Sequence, residues 1–351
     1  MEIIKSPTKK IPVLPSLNSI RYRCSSAIRI ASKHIAISPE RPTKRKVADN
    51  DLYPNSPNKP ISPIMNKSVE EFHPSYSIKD LYLGKCLGRG KQGRVVHATL
   101  RNKEFAVKIL HKDEKKTGEM EWKILNRLKS PFLVHSYGKI MDSDNMYLLL
   151  ELMDGGDLFH LIRKRKLNIK EITFISAEIV LAVEHLHNQG VIYRDLKPEN
   201  VMLDASGHIK LVDFGLSKII DDDRAQTACG SAEYMAPEII RRQLYTYSAD
   251  WWSFGVLVYE LFHGHTPFRG ESNKEVYQNI LRGDIIYSRS LDATSKDFIR
   301  SLLNLESEYR LGSLENGICD IKNHPFFRKI DWRVIPERLQ SPLREHQICK
   351  I

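Results

Sequence analysis

Several familiar features are missing from this 351-residue chain, and each absence removes a class of protein. Its five cysteines (Cys24, Cys86, Cys229, Cys319 and Cys349) are scattered, odd in number and without metal-ligand spacing. That pattern excludes a disulfide framework and a zinc module and suggests a reduced compartment. No apolar run approaches the ~18 residues that a membrane span requires. The closest, Trp251 to Phe262, contains Glu260 and reads as a buried helix. A short apolar core with a cleavage site is absent from the N-terminus, so secretion is not expected, and the expected compartment is cytoplasmic, nuclear or both.

Acidic residues are scarce at one end only. Residues 1–50 hold eleven Lys/Arg against three acids, which accounts for most of the net charge of +11. The remainder is near balance, so the basic character belongs to a tail and is weak evidence for a nucleic-acid-binding domain. Nine of the seventeen prolines fall before residue 64, among many Ser, Asn and Lys. No period of 2 or 3.6 is sustained there, and residues 1–78 read as a disordered basic Pro/Ser-rich tail. Ser6, Ser38, Ser56 and Ser62 each precede proline and are candidate proline-directed phosphorylation sites. Lys44-Arg45-Lys46 reads as a solvated charge run, with nuclear import or contact with a polyanion as the alternative. The acid-poor stretch 5–37 faintly resembles an organelle transit peptide.

What is present is concentrated in two neighbouring stretches. Tyr193-Arg194-Asp195-Leu196-Lys197-Pro198-Glu199-Asn200 is followed closely by Val212-Asp213-Phe214-Gly215. Two carboxylates, a lysine and a carboxamide are what attack of a hydroxyl on a terminal nucleotide phosphate requires. One carboxylate, Asp195, takes or orients the hydroxyl proton, and Lys197 offsets charge on the transferring group. Asn200 and Asp213 are then expected to hold Mg²⁺.

Upstream, Leu87-Gly88-Arg89-Gly90-Lys91-Gln92-Gly93-Arg94-Val95 carries three glycines where a backbone can approach phosphates closely. Dinucleotide-binding folds use the same spacing but follow it with a helix. Here Val95-Val96-His97-Ala98 continues as a strand. Arg101-Asn102-Lys103 reads as a hairpin turn into Phe105–Leu110, an apolar strand interrupted by Lys108. An unpaired ammonium is costly to bury, so Lys108 needs phosphate and carboxylate partners. Glu119 and Glu121 both lie in a helical stretch, 119–128, whose apolar face is expected from Met120, Ile124, Leu125 and Leu128. Farther on, Asn168-Ile169-Lys170-Glu171 fits a helix cap, with Ile172, Ile175, Ile179, Val183 and Leu186 on one face and Gly190 past the end.

From about Tyr82 to Phe327 the chain resembles a eukaryotic protein kinase domain, and in detail the AGC group of serine/threonine kinases. The narrowing features are Tyr193-Arg194-Asp195, Cys229-Gly230-Ser231-Ala232-Glu233-Tyr234-Met235-Ala236-Pro237-Glu238, Asp250-Trp251-Trp252-Ser253, Arg310-Leu311-Gly312 and His324-Pro325-Phe326-Phe327. The resemblance implies an α+β, bilobal fold. A kinase domain over 79–327 has a β-rich small lobe to about 153 and a mainly helical large lobe after it, and 328–351 is a short extension. It implies ATP between the lobes, held by 87–95, Ala106, Lys108 and its partner Glu121, and by the hinge at Glu151 and Met153, with Leu150 guarding the back. It makes Thr227 an activating phosphosite drawn toward Arg194 and Lys218. It places Ser231 near Asp195, pairs Glu238 with Arg310, and aims Asp250 at the catalytic-loop backbone. Asp157, Glu199, Glu233 and Glu260 match acids that hold substrate arginines, so basic protein substrates are expected.

The chain also departs from that family. Gln92 replaces an aromatic at the loop tip, and only thirteen residues separate Lys108 from Glu121, so a short helix before the glutamate is expected to be missing. Ser136 stands where a large apolar residue would stack with Leu125, Tyr193 and Phe214. The group's aromatic C-terminal motif has no match, which implies either a partner that supplies it or a kinase that manages without. An upstream activating kinase and a regulatory subunit are further expected partners; a membrane is not, and nucleic acid is disfavoured. The competing reading is a nucleotide-binding pseudokinase scaffold.

Overall fold

A computed structural model describes residues 77–90, 93–220, 225–227 and 229–343. The tail with its Ser-Pro steps and Lys44-Arg45-Lys46 lies outside the described residues, as do Lys91 and Gln92. Strands β1 (Tyr82–Gly90), β2 (Gly93–Leu100), β3 (Lys103–His111), β4 (Ser136–Met141) and β5 (Asn145–Leu150) form one antiparallel sheet in the order β1-β2-β3-β5-β4. The β2–β3 turn places Arg101 and Asn102 at φ 47° and 64°, the left-handed geometry of a two-residue hairpin. In β3, period-2 alternation sends Phe105, Val107 and Ile109 into a small outer cluster with Val96, Ala98, Ile140 and Leu149. Leu110 points the other way, where α1 (Lys115–Arg127) covers the sheet.

That inner face is continuous with the large-lobe core. Ile124 and Leu125 of α1 and Leu148 and Leu150 of β5 belong to the same buried cluster as the helices below. α1 begins at Lys115, earlier than the expected 119, and only the single 3-10 turn Lys112–Glu114 precedes it. Met120, expected on its apolar face, is 40% exposed; Gly118, Glu121, Ile124 and Leu125 are the buried positions. The buried stripe therefore carries a carboxylate that hydropathy alone would send outward.

The large lobe follows as α2 (Leu158–Lys164), α3 (Ile169–Asn188), the short strands β6 (Val191–Ile192), β7 (Val201–Leu203), β8 (Ile209–Leu211) and β9 (Lys218–Ile219), then α4 (Pro237–Ile240), α5 (Ser248–His263), α6 (Asn273–Arg282), α7 (Ala293–Leu302) and α8 (Ile318–Lys322). α3 opens with a reciprocal cap between Asn168 and Glu171. α5 is apolar all round and buried along nearly its whole length, as befits a helix at the centre of a lobe. Gly264 ends it in the left-handed conformation, φ 73°. No helix among the described residues is long and apolar enough to cross a membrane.

Arg310 is fully buried and fastens several of these pieces. It donates to Glu238 through two bonds of 2.7 and 3.0 Å, and to the carbonyls of Ser248 and Asn304. Residues 328–343 also fold onto the lobe. Leu343 is buried in the main core, and Arg338 reaches both the Pro131 carbonyl and Asp204.

Breaking a buried pair strands the remaining charge, so Arg310→Met should lower unfolding free energy by roughly 3–5 kcal/mol. Adding Glu238→Leu should return most of that loss. Urea titration of the two variants checks both outcomes.

Candidate active site

Lys108 lies in β3 opposite Leu148 and Val95, on the face covered by α1. Its Nζ donates to Glu121 at 2.7 and 2.9 Å and to Asp213 Oδ1 at 2.7 Å. Burial works to lower its pKa, but the two carboxylates outweigh it and hold the ammonium charged. Glu119, the other candidate, faces outward and pairs with Lys139 instead. Burial also works against Asp213, yet Lys108 keeps its carboxyl below the usual range. One ammonium thus joins the sheet, α1 and the segment after β8.

The loop after β6 is held by a carboxylate. Asp250 of α5 accepts from the backbone N–H of Tyr193 at 2.9 Å and of Arg194 at 2.8 Å. Arg194 adopts φ 70° and Asp213 φ 57°, conformations that disfavour side chains. The buried Asp250 carboxylate over-determines the first. Tyr193 is fully buried; its hydroxyl donates to the Val212 carbonyl, and its ring meets Phe214 edge-on at 5.3 Å. Here the tyrosine ties the loop directly to the segment carrying Asp213.

Pro198 starts a 3-10 turn that folds Asn200 back on Asp195. Asn200 Nδ2 donates to the Asp195 carbonyl at 2.9 Å and to its Oδ2 at 2.8 Å. Lys197 Nζ donates to the same Oδ2 at 2.8 Å and to Ser231 Oγ at 2.9 Å, and Ser231 lies 3.4 Å from Asp195 Oδ1. The amide's donor end is therefore engaged and its oxygen left over. Together with the exposed Asp213 carboxylate, this gives two hard oxygen donors, the kind Mg²⁺ takes alongside phosphate oxygens. Among the described residues no group of three or more His, Cys, Asp or Glu could hold a metal without such help.

Above this cluster, β1 and β2 flank the glycine-rich turn. A Cβ on Gly93 would come within 2.1 Å of the Ile109 carbonyl, so close packing demands that glycine. At Gly88 and Gly90 a Cβ would meet nothing within 4 Å, leaving their outer face open to a ligand. Leu87, Arg89, Arg94 and Val95 occupy the flanking strand positions. Ala106 and Leu150 are cross-strand partners behind the cleft. Glu151 starts the hinge, pinned by Lys210 at 2.7 Å and the His135 N–H at 3.1 Å, and Met153 is buried just after it.

Toward the other end of the groove, Glu199, Glu233 and Glu260 gather around Tyr234, and all three push its hydroxyl pKa up, though burial pushes harder. Tyr234 donates to Glu260, which is 2% exposed, and Arg163 is 3.9 Å away. Burial raises the Glu260 pKa. Asp157, grouped with these acids by the resemblance, caps α2 by accepting from the His160 N–H at 2.8 Å and also meets the His160 ring.

Sequence reasoning did not single out Tyr245. Its hydroxyl donates to the Thr227 carbonyl at 2.8 Å and accepts from Arg194 Nη1 at 3.2 Å, so it links the two. A lone tyrosine in a loop gives no signal for that. Ser136 shows the opposite case, a departure legible in sequence: its hydroxyl is buried without a hydrogen-bond partner among the described residues.

A family model described as "Protein kinase domain" matches residues 82–327. The chain is 35% identical over 286 residues to cAMP-dependent protein kinase type 3 of Saccharomyces cerevisiae, covering 78% of this chain and 72% of that one. It is 38% identical over 279 residues to the human cAMP-dependent protein kinase catalytic subunit PRKX, 77% of each chain. Human ribosomal protein S6 kinase alpha-2 is 40% identical over 295 residues, 80% of this chain and 40% of that one.

A buried hydroxyl without a partner contributes nothing to offset its desolvation, which costs about 1–3 kcal/mol. Ser136→Ala should therefore leave the thermal midpoint unchanged or raise it, where a hydrogen-bonded serine would lower it. Differential scanning calorimetry reads the sign.

Proposed function

The chain belongs to the protein kinase family, among its AGC serine/threonine kinases, and from that premise we propose that it moves the γ-phosphate of ATP to serine or threonine hydroxyls of basic protein substrates. The observation that carries this reading is the pair of clusters facing one cleft: Lys108 between Glu121 and Asp213, and Asp195 bound by Lys197 and Asn200. A protein that had only kept the shape would not need both sets intact.

In this reading the triphosphate lies under the turn 87–95, with its adenine at the hinge by Glu151, Met153 and Ala106, and Lys108 reaches its phosphates. Asp195 orients the incoming hydroxyl and takes its proton, while Lys197 sits beside it to meet the negative charge of the transferring phosphoryl. Asn200 and Asp213 would hold Mg²⁺, which when bound would supply positive charge to offset that of the phosphates. Ser231, joined to both Lys197 and Asp195, positions the pair.

Control and specificity follow from the surrounding charges. A phosphate on Thr227 adds about −1.5 to −2 charge near Arg194 and Lys218, and Tyr245 already connects Thr227 to Arg194. That supports an upstream kinase acting on Thr227. Glu260 is desolvated and poorly neutralised, a state that a substrate guanidinium would relieve. Glu199 and Glu233 add to that field, whereas Asp157 is already engaged as a helix cap. Similarity to proteins named as catalytic subunits favours a separate regulatory partner.

Asp195→Asn should reduce kcat by roughly 10²–10⁴-fold while nucleotide affinity is retained, as read by radiometric turnover and nucleotide titration. A peptide with arginine three residues before the acceptor should outcompete one with proline just after it. Glu260→Gln should cut kcat/KM for the arginine peptide by roughly 10–100-fold. Equal turnover of the two peptides by the wild type would remove the basic preference. Thr227→Ala, compared with protein fully phosphorylated at Thr227, tests the switch.

A further inference from the structure

A cavity of about 580 Å³ opens beside the acidic groove, between the ends of α5 and α6, the turn 265–269 and the stretch 284–288. Its walls are secured by bonds from side chains to backbone. Tyr259 donates to the Ile286 carbonyl at 2.7 Å, and Asn279 donates to the Arg269 carbonyl at 2.7 Å. His263 Nδ1 meets the Tyr259 carbonyl at 2.9 Å, and its Nε2 accepts the Ser288 N–H at 3.2 Å. That network assigns His263 the neutral Nδ1–H form, and both ring nitrogens are occupied.

Three basic groups in the lining are left over. The guanidiniums of Arg269 and Arg282 form no ion pair among the described residues, and His265 uses only Nδ1, on the Thr266 carbonyl at 2.9 Å. Asp284 is the one acid in the lining, and neither arginine pairs with it. The Tyr287 hydroxyl, also in the lining, is buried without a hydrogen-bond partner among the described residues. Two exposed guanidinium charges, unused donors and a volume typical of ligand sites describe a receptor for an anion. The cavity also shares a wall with the acidic cluster, because Thr266 donates to Glu233 at 2.6 Å.

We propose that this cavity is a second substrate subsite, which takes the phosphoryl group of a phosphoserine or phosphothreonine already present on the protein substrate. The proposal rests on the kinase reading above and adds to it a priming requirement. Arginine near the acceptor enters the acidic groove, and a phosphate elsewhere on the same chain enters the neighbouring basic cavity. A phosphate dianion matches two guanidinium forks better than a single carboxylate does. The shared wall favours a residue of the bound substrate over a free anion. A kinase of the same substrate must then act first.

The test uses the full chain and a peptide series. Each peptide carries arginine three residues before the acceptor, and a single phosphoserine is moved stepwise along the rest. Fluorescence anisotropy gives Kd, and turnover gives KM and kcat. At one register the phosphoserine should lower Kd and KM by about tenfold or more with kcat unchanged. In Arg269→Gln combined with Arg282→Gln, the ratio of phosphopeptide to parent affinity should fall to about one. Lys274→Gln, at the exposed start of α6, should preserve the ratio. No gain at any register, a gain that survives the double substitution, or equal competition by inorganic phosphate would overturn the proposal. Should the parent peptide itself fail as a substrate, the kinase reading falls, and the anisotropy series still decides the subsite.

Discussion

An ammonium buried among apolar strands is tolerable only where carboxylates surround it, and Lys108 sets that condition for the whole catalytic half of the molecule. Glu121 must be turned inward on α1, so the helix has to dock with its charged position facing the sheet. Asp213 must arrive from the segment after β8, which places Phe214 in the core and leaves the rest of its carboxylate toward the cleft. Three segments far apart in sequence are thereby held to one point. Were the ammonium absent, Glu121 would be a fully buried charge without a counterion, and the apolar packing of Ile124 and Leu125 would have to hold the helix against that cost.

A second constraint operates on the backbone. The Asp250 carboxylate is buried at the start of the central helix and is satisfied by two successive N–H groups of the loop bearing Asp195. This fixes Arg194 in a conformation that side chains seldom adopt, and so aims the residues on either side of it. Because α5 is surrounded by apolar contacts, the anchor is as rigid as the lobe itself. Arg310, paired with Glu238, fastens the same end of that helix through the Ser248 carbonyl, so the loop bearing Asp195 inherits its position from buried bonds behind it.

The parts legible in the sequence were those whose chemistry needs a residue type at a set spacing. Asp195, Lys197, Asn200 and Asp213 fall in two short stretches, and their meeting in space follows from local turns. The alternating pattern of β3 and the capped apolar stripe of α3 were equally readable. Other features depend on which distant segment arrives opposite. Met120 looked like a core residue by period but lies on the open side, since Glu121 claims the inward position. Asp157 carried no sign in the sequence that it also starts a helix, as the cap of α2. Tyr245 has no local pattern at all; its value arises from standing between Thr227 and Arg194. The basic cavity is lined entirely from the stretch 259–288, but only the packing of α5 and α6 with the turns between and after them gives it a shape, which no periodicity displays.

Charge is partitioned unusually across the substrate-facing side of the large lobe. Burial raises the Glu260 pKa, and Glu199 and Glu233 push it further the same way, so under the proposed function a substrate cation would relieve this cluster. Arg269 and Arg282, a short way off, are exposed and form no ion pair among the described residues. Glu238 and Arg310 show the other arrangement within the same lobe, opposite charges joined in a buried pair. Keeping the signs apart maintains two fields of opposite polarity with Thr266 and Glu233 as their common boundary. A chain bearing both signs in the right order satisfies both fields, and a purely basic chain satisfies one.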